Sequence, residues 1–74
     1  MKVSVKLFAS LARGRKEQQE LELGESATVA EMLEALGIRQ KEAKAVFRNA
    51  RHARADERLA DGDRVDIFPA IGGG

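Results

Sequence analysis

The residues with the clearest capacity for chemistry stand at the C-terminus, where Gly72, Gly73 and Gly74 precede the terminal carboxylate. A peptide without Cβ atoms can pass through a narrow channel and adopt any φ that the channel requires. Attack of a carboxylate on the α-phosphate of a nucleoside triphosphate gives an acyl-adenylate, from which a sulfur nucleophile displaces AMP to leave C(=O)SH. We predict that Gly74 is the reactive residue and that a partner enzyme supplies the nucleotide, the Mg²⁺ and the catalytic groups.

The tail, residues 70–74, is predicted to be a flexible extension of a body formed by residues 1–69, because glycines add no side-chain packing. Five residues reach up to about 17 Å, enough to carry the terminal carboxylate into another protein's active site. Taken alone, the three glycines could instead be a frayed chain end or an expression remnant with no reactive role. Apolar residues at the base of the tail predict a partner-binding patch, although Phe68 could instead complete the core. The predicted partner-binding residues are Phe68, Pro69, Ile71, Gly72 and Gly73.

Composition excludes most other chemistry. The 74 residues include no cysteine, which rules out disulfides and thiol catalysis, and the single histidine, His52, cannot build a metal site alone. No G-x-x-x-x-G-K-[ST] phosphate loop occurs. We therefore predict that the chain is a protein co-substrate and not an enzyme, and that it binds no metal or cofactor itself.

The charge balance excludes a dedicated nucleic-acid binder. Thirteen basic and twelve acidic residues give a net charge of +1. Arg48, Arg51, His52 and Arg54 are close in sequence, but the chain has no tyrosine or tryptophan for base stacking. No apolar run is long enough for a secretion signal or a membrane span, so we expect a cytoplasmic protein that contacts neither nucleic acid nor membrane.

Hydropathy periods predict the elements that position the tail. Two strands are predicted by the alternation of apolar with polar residues, first at Val3, Val5 and Leu7 and again at residues 20–23. The simplest connection between them is an antiparallel hairpin. Thr28-Val29-Ala30-Glu31 fits a capping box, and an apolar stripe at i, i+3, i+4 and i+7 predicts a helix from there to Gly37.

The second half of the chain predicts two further strands. Residues 45–48 form a short one before the turn Asn49-Ala50-Arg51, in which alanine replaces the glycine that a tight hairpin prefers. The Asp61-Gly62-Asp63 turn then leads into a strand over residues 64–68, and Pro69 ends the pairing. This order predicts an α+β protein with the β-grasp fold: a mixed sheet of four to five strands, its first and last strands central, covered on one face by one helix.

With these motifs, the whole chain resembles the ThiS/MoaD family of ubiquitin-like sulfur carriers. The resemblance implies that Gly74 is adenylated by an E1-like enzyme, which uses ATP and Mg²⁺, and is then converted to a thiocarboxylate. It also implies a sulfur-accepting synthase subunit as a second partner, either MoaE-like or thiazole-synthase-like. The segments that carry the resemblance are Val3 to Ala9, Ala27 to Leu33 and Asp61 to Gly74.

The branch of the family and the fate of the activated glycine stay open on sequence grounds. Residues 6–13 and the Phe68-Pro69 pair resemble MoaD, the small subunit of molybdopterin synthase, whereas the helix and the triple glycine resemble ThiS equally; we favour MoaD slightly. Sulfur delivery for molybdopterin or thiamine thiazole is the main hypothesis. Conjugation of Gly74 to lysine as a protein modifier and a non-catalytic interaction domain are the alternatives.

Overall fold

The structure, a computed structural model, describes residues 1–70. Residues 1–70 form five strands, one α-helix and one short 3₁₀ helix. The strands are β1 (Lys2–Leu7), β2 (Gln18–Glu22), β3 (Ala43–Arg48), β4 (Arg51–His52) and β5 (Arg64–Pro69), the α-helix is α1 (Val29–Leu36), and the 3₁₀ helix spans Ala9–Ala12.

The strands form one mixed sheet in the order β2-β1-β5-β3-β4. β1 and β5 are central and parallel, with Val5 opposite Val65, and every other neighbouring pair is antiparallel. The predicted β-grasp fold is therefore confirmed, including the central position of the first and last strands. The terminal strand is thus hydrogen-bonded on both sides and holds the base of the tail in a fixed position.

Helix α1 covers one face of the sheet. The predicted capping box is present: the Thr28 hydroxyl accepts from the Glu31 N–H at 3.2 Å, and the Glu31 carboxylate accepts from the Thr28 N–H at 2.9 Å. Gly37 ends the helix in the left-handed conformation, with φ of 74°. The buried core includes Val3, Val5, Leu7, Val65 and Ile67 from the central strands and Val29, Met32 and Leu33 from the helix.

Three local features differ from the sequence prediction. The loop between the first two strands contains the 3₁₀ helix, whose Leu11 is buried, and β3 begins earlier than predicted, at Ala43, with an irregular register before Ala45. The turn between β3 and β4 has two residues, Asn49 and Ala50, with φ of 52° and 70°. Positive φ at both positions matches the twist of a hairpin, so the alanine adopts the conformation that glycine usually supplies.

Candidate functional site

Strand β5 leads directly into the predicted reactive tail. Its pairing ends at Pro69, opposite Ala43, and the Ala70 N–H then donates to the carbonyl oxygen of Glu42 at 3.3 Å. The base of the tail is therefore attached to the sheet as far as the last described residue. The predictions for Ile71, Gly72, Gly73 and Gly74 lie outside the described residues and stay predictions.

Phe68 lies on the sheet face opposite helix α1. Its neighbour Ile67 is fully buried in the core, and side chains alternate between the two faces of a strand, so Phe68 points away from the core. Both Phe68 and Pro69 are half-buried. Phe68 therefore does not complete the core beneath the helix. It lies on the sheet face that the helix does not cover, called the open face below.

Phe68 is the centre of a row of aromatic side chains on this open face. Its ring stacks on Phe8, with centroids 4.2 Å apart and planes at 12°, and meets the Phe47 ring edge-on at 5.8 Å. Phe47 in turn meets His52 edge-on at 5.6 Å. These four residues, Phe8, Phe68, Phe47 and His52, are called the aromatic row below. The row crosses the sheet from the end of β1 to β4 and reaches the base of the tail.

Two members of the row, Phe8 and Phe47, are not among the partner-binding residues predicted from the sequence. The structure places them on the open face because each directly follows a buried strand residue, Leu7 and Val46 respectively. This alternation of inward and outward side chains was visible in the sequence of β1, where Val3, Val5 and Leu7 take the inward positions. The proximity of Phe8 to Phe68 required the parallel pairing of β1 with β5, which no local pattern reveals.

The other end of β5 is held by a buried carboxylate, that of Asp63. Only 6% of this residue is exposed. Its oxygens accept from Arg48 Nε at 2.6 Å, from the Asn49 side-chain amide at 2.9 Å and from the Ala60 N–H at 2.7 Å. A second carboxylate, Glu57, accepts from Arg48 Nη1 at 3.1 Å. The Asp-Gly-Asp turn is thus a structural anchor, which agrees with its interpretation as a turn former.

The anchor shifts the ionisation of both partners. Burial opposes ionisation of Asp63, but hydrogen bonds from Ala60, Asn49 and Arg48 outweigh it and lower the pKa of this carboxyl below its usual range. The hydrogen bonds to Asp63 and Glu57 raise the pKa of Arg48. Because Arg48 is held in this network, it is not part of a continuous basic surface with Arg51 and Arg54.

The described part of the chain offers little for other chemistry. Among residues 1–70, no group of three or more His, Cys, Asp or Glu side chains is placed to hold a metal ion. No helix among these residues is long and apolar enough to cross a membrane. His52 is exposed, and its ring meets that of Phe47 edge-on. The arrangement fits docking of a protein partner next to a tail.

The fold and the site together define a small ubiquitin-like protein: a β-grasp body with its C-terminal segment leaving from the central strand. Residues 5–74 match the ThiS family, so the match includes the terminal glycines. The chain belongs to the ThiS family. No curated protein sequence matches it.

Solved structures support the same class. The chain is similar to small archaeal modifier protein 1 of Haloferax volcanii, with a TM-score of 0.79 and 27% identity over 95% of this chain and 98% of that one. It is also similar to a protein described as molybdopterin converting factor subunit 1 of Pyrococcus furiosus, with a TM-score of 0.75 and 30% identity over 96% and 99% of the two chains.

A third solved structure is a complex of subunits 1 and 2 of the molybdopterin-converting factor of Helicobacter pylori. Its matching chain has a TM-score of 0.66 and 22% identity, with both chains covered completely. At this identity the likeness shows the shared fold. These comparisons place the chain among ThiS, MoaD and small archaeal modifier-type proteins.

Proposed function

We propose that this protein is a sulfur carrier. An E1-like enzyme, using its own ATP and Mg²⁺, joins the Gly74 carboxylate to AMP and releases pyrophosphate. A sulfur nucleophile then displaces AMP, so that one carboxylate oxygen is exchanged for sulfur. The thiocarboxylate donates this sulfur in cofactor biosynthesis, and the carrier is regenerated as the free carboxylate.

The observation that carries the proposal is the family match over residues 5–74, which extends to the glycine that would react. The geometry supports it in a second way. Strand β5 is central and paired on both sides, so the sheet fixes the position of Pro69, from which the chain continues toward the tail.

Intact mass spectrometry tests the proposal. The chain is incubated with a cognate adenylating enzyme, ATP and a sulfur source, and we expect its mass to rise by about 16 Da, the difference between one sulfur and one oxygen. A chain in which Gly74 is followed by one added alanine is the matched control and should keep its mass. An unchanged wild-type mass under conditions in which the enzyme consumes ATP would contradict the carrier role.

The second candidate function is protein modification, in which Gly74 is transferred to a lysine amine. The similarity to small archaeal modifier protein 1, at a TM-score of 0.79, favours it. Both functions begin with the same acyl-adenylate, so the products separate them. Adducts that are larger by the mass of a whole substrate protein indicate conjugation, whereas the sulfur exchange indicates carriage.

We also propose that the aromatic row is the docking surface for both partners, the adenylating enzyme and a synthase subunit that accepts the sulfur. The Helicobacter pylori complex shows that a protein of this fold binds a second subunit of the molybdopterin-converting factor. Aromatic side chains dominate binding energy in interfaces, and this row lies next to the residues that lead to the tail. Of the two candidate pathways, molybdopterin and thiamine thiazole synthesis, the likeness to molybdopterin converting factor subunit 1 favours molybdopterin synthesis.

Phe68→Ala is expected to weaken docking without abolishing the chemistry. We expect the KM for the carrier in the adenylation reaction to rise about 30-fold, the effect of losing one interface hot spot, with kcat within about threefold. Leu21→Ala is the control, because Leu21 is also a half-buried apolar residue of the sheet but packs against the core. An equal rise in KM for both variants would show a general effect of destabilisation.

A further inference from the structure

Two loops surround the point where the chain leaves β5. The first, residues 8–17, follows β1, and the second, residues 37–42, precedes β3. Since β1 is parallel to β5 and β3 is antiparallel to it, both loops lie at the end of the sheet where β5 ends. A groove of about 420 Å³ lies between them, and Pro69 and Ala70 form part of its lining.

These loops and the start of β3 carry a local excess of positive charge. Six of the chain's thirteen lysines and arginines lie within residues 8–17 and 37–44, but only two of its twelve acidic residues do. The rest of the chain has seven basic and ten acidic residues, so the excess of positive charge is confined to these segments. The six residues, called the basic cluster below, are Arg13, Arg15, Lys16, Arg39, Lys41 and Lys44.

The basic cluster is not neutralised within residues 1–70. The four ion pairs in this part of the chain involve Lys2, Arg48 and Arg54 as cations. Arg15 is held by the carbonyl oxygens of Leu11 and Gly37, at 3.2 and 3.1 Å, and thereby links the two loops. The other five members are exposed. Like charges gathered on one surface repel each other, so this arrangement does not serve folding.

We propose that the basic cluster docks against an acidic protein surface at the entrance to the active site of the adenylating enzyme. This inference rests on the proposed function and adds the chemistry of the partner surface. The occupant is a protein because Pro69 and Ala70, which precede the reactive glycines, lie between the two loops, and the proposed function requires those glycines to enter the partner's active site. Opposite potentials accelerate encounter, and a cluster around the base of the tail also aligns the tail with the entrance.

Paired charge reversals test the proposal. Arg39→Glu with Lys41→Glu changes two exposed members of the cluster, and Arg51→Glu with Arg58→Glu makes the same change in net charge at exposed positions elsewhere. Arg51 follows the turn whose Asn49 N–H donates to the Arg64 carbonyl oxygen at the start of β5, and Arg58 pairs with Thr28 before α1. We expect stopped-flow association with the adenylating enzyme at about 0.05 M salt to slow about tenfold for the cluster variant and less than about twofold for the control.

The salt dependence and the charging reaction complete the test. The difference in association rate between the two variants should shrink at about 0.5 M salt, where the Debye length is only a few ångströms. The charging rate of the cluster variant at saturating carrier concentration should match that of wild type. Equal association rates for the two variants, or a loss that high salt does not reduce, would overturn the proposal. Nucleic acid is the alternative occupant of the basic cluster. The proposal would also be overturned if single-stranded oligouridine bound the wild-type chain but not the cluster variant, while the cluster variant associated normally with the enzyme. The proposed function is judged separately, by the mass of the wild-type chain.

Discussion

Deletion of Gly73 and Gly74 is expected to abolish thiocarboxylate formation while leaving the free energy of unfolding unchanged. The deletion removes the reactive carboxylate from its position at the end of the tail. All members of the hydrophobic core lie between Val3 and Ile67, so the deletion removes no core residue. Intact mass after charging and urea unfolding measure the two effects. A deletion variant that gained sulfur at the normal rate would contradict the assignment of Gly74.

A single substitution, Gly73→Leu, tests the need for a narrow tail while keeping its length. The bulky side chain should be excluded from the partner's channel and lower the charging rate by about 100-fold or more, since small misplacements of a reacting group have effects of this size. Gly24→Leu is the matched control. A Cβ added at Gly24 meets nothing within 4 Å, and its φ is not in the left-handed region, so this variant should fold and charge normally.

The two ends of β5 have different surroundings in the structure. At its start, Asp63 and its hydrogen-bond partners hold the strand to the turn before it and to β3. At its end, Phe68 faces the open side of the sheet and the chain continues into the tail. The Asp63 anchor is therefore distant from the proposed docking surface, and the effects of substitutions at the two ends should be separable by experiment.

Much of the fold was predictable from local patterns. The alternation at Val3, Val5 and Leu7 identified β1 and its inward face, and the capping box at Thr28 and Glu31 identified the start of α1; the structure confirms both. These signals are strong because each depends on neighbouring residues only. The ends of β3 and the two-residue strand β4 were less clear, because alanines in this region carry little periodic signal.

The candidate site was predictable only in part. The sequence indicated the terminal glycines as the reactive segment and Phe68 as a docking residue, and both assignments stay predictions. The aromatic row was not predicted, since its members come from four places in the sequence, with Phe8 and Phe68 sixty positions apart. Nor did the sequence reveal the basic cluster, because its two loops meet only when β1 and β3 are placed on either side of β5.

Asp63→Ala is expected to have the largest effect on stability, a loss of about 3 kcal/mol in the free energy of unfolding. It removes the buried carboxylate that accepts three hydrogen bonds, from Arg48, Asn49 and Ala60, and each of these contributes about 1 kcal/mol. For a domain of this size the melting temperature should fall by about 15 °C. Asp61→Ala is the control, because exposed Asp61 accepts one hydrogen bond, from the Lys2 N–H, and should cost about 1 kcal/mol or less.

Acidification should remove this difference between wild type and Asp63→Ala. The pKa of Asp63 is lowered in the folded state, so its ionised form favours folding at every pH above its unfolded pKa of about 4. As the pH falls through the folded-state pKa, the carboxylate is protonated and the stabilisation is lost. Urea unfolding between about pH 7 and pH 2.5 should therefore show a constant gap that closes only below about pH 4. A gap that stayed constant down to the lowest pH would mean that the loss came from packing, with no contribution from the ionised carboxylate.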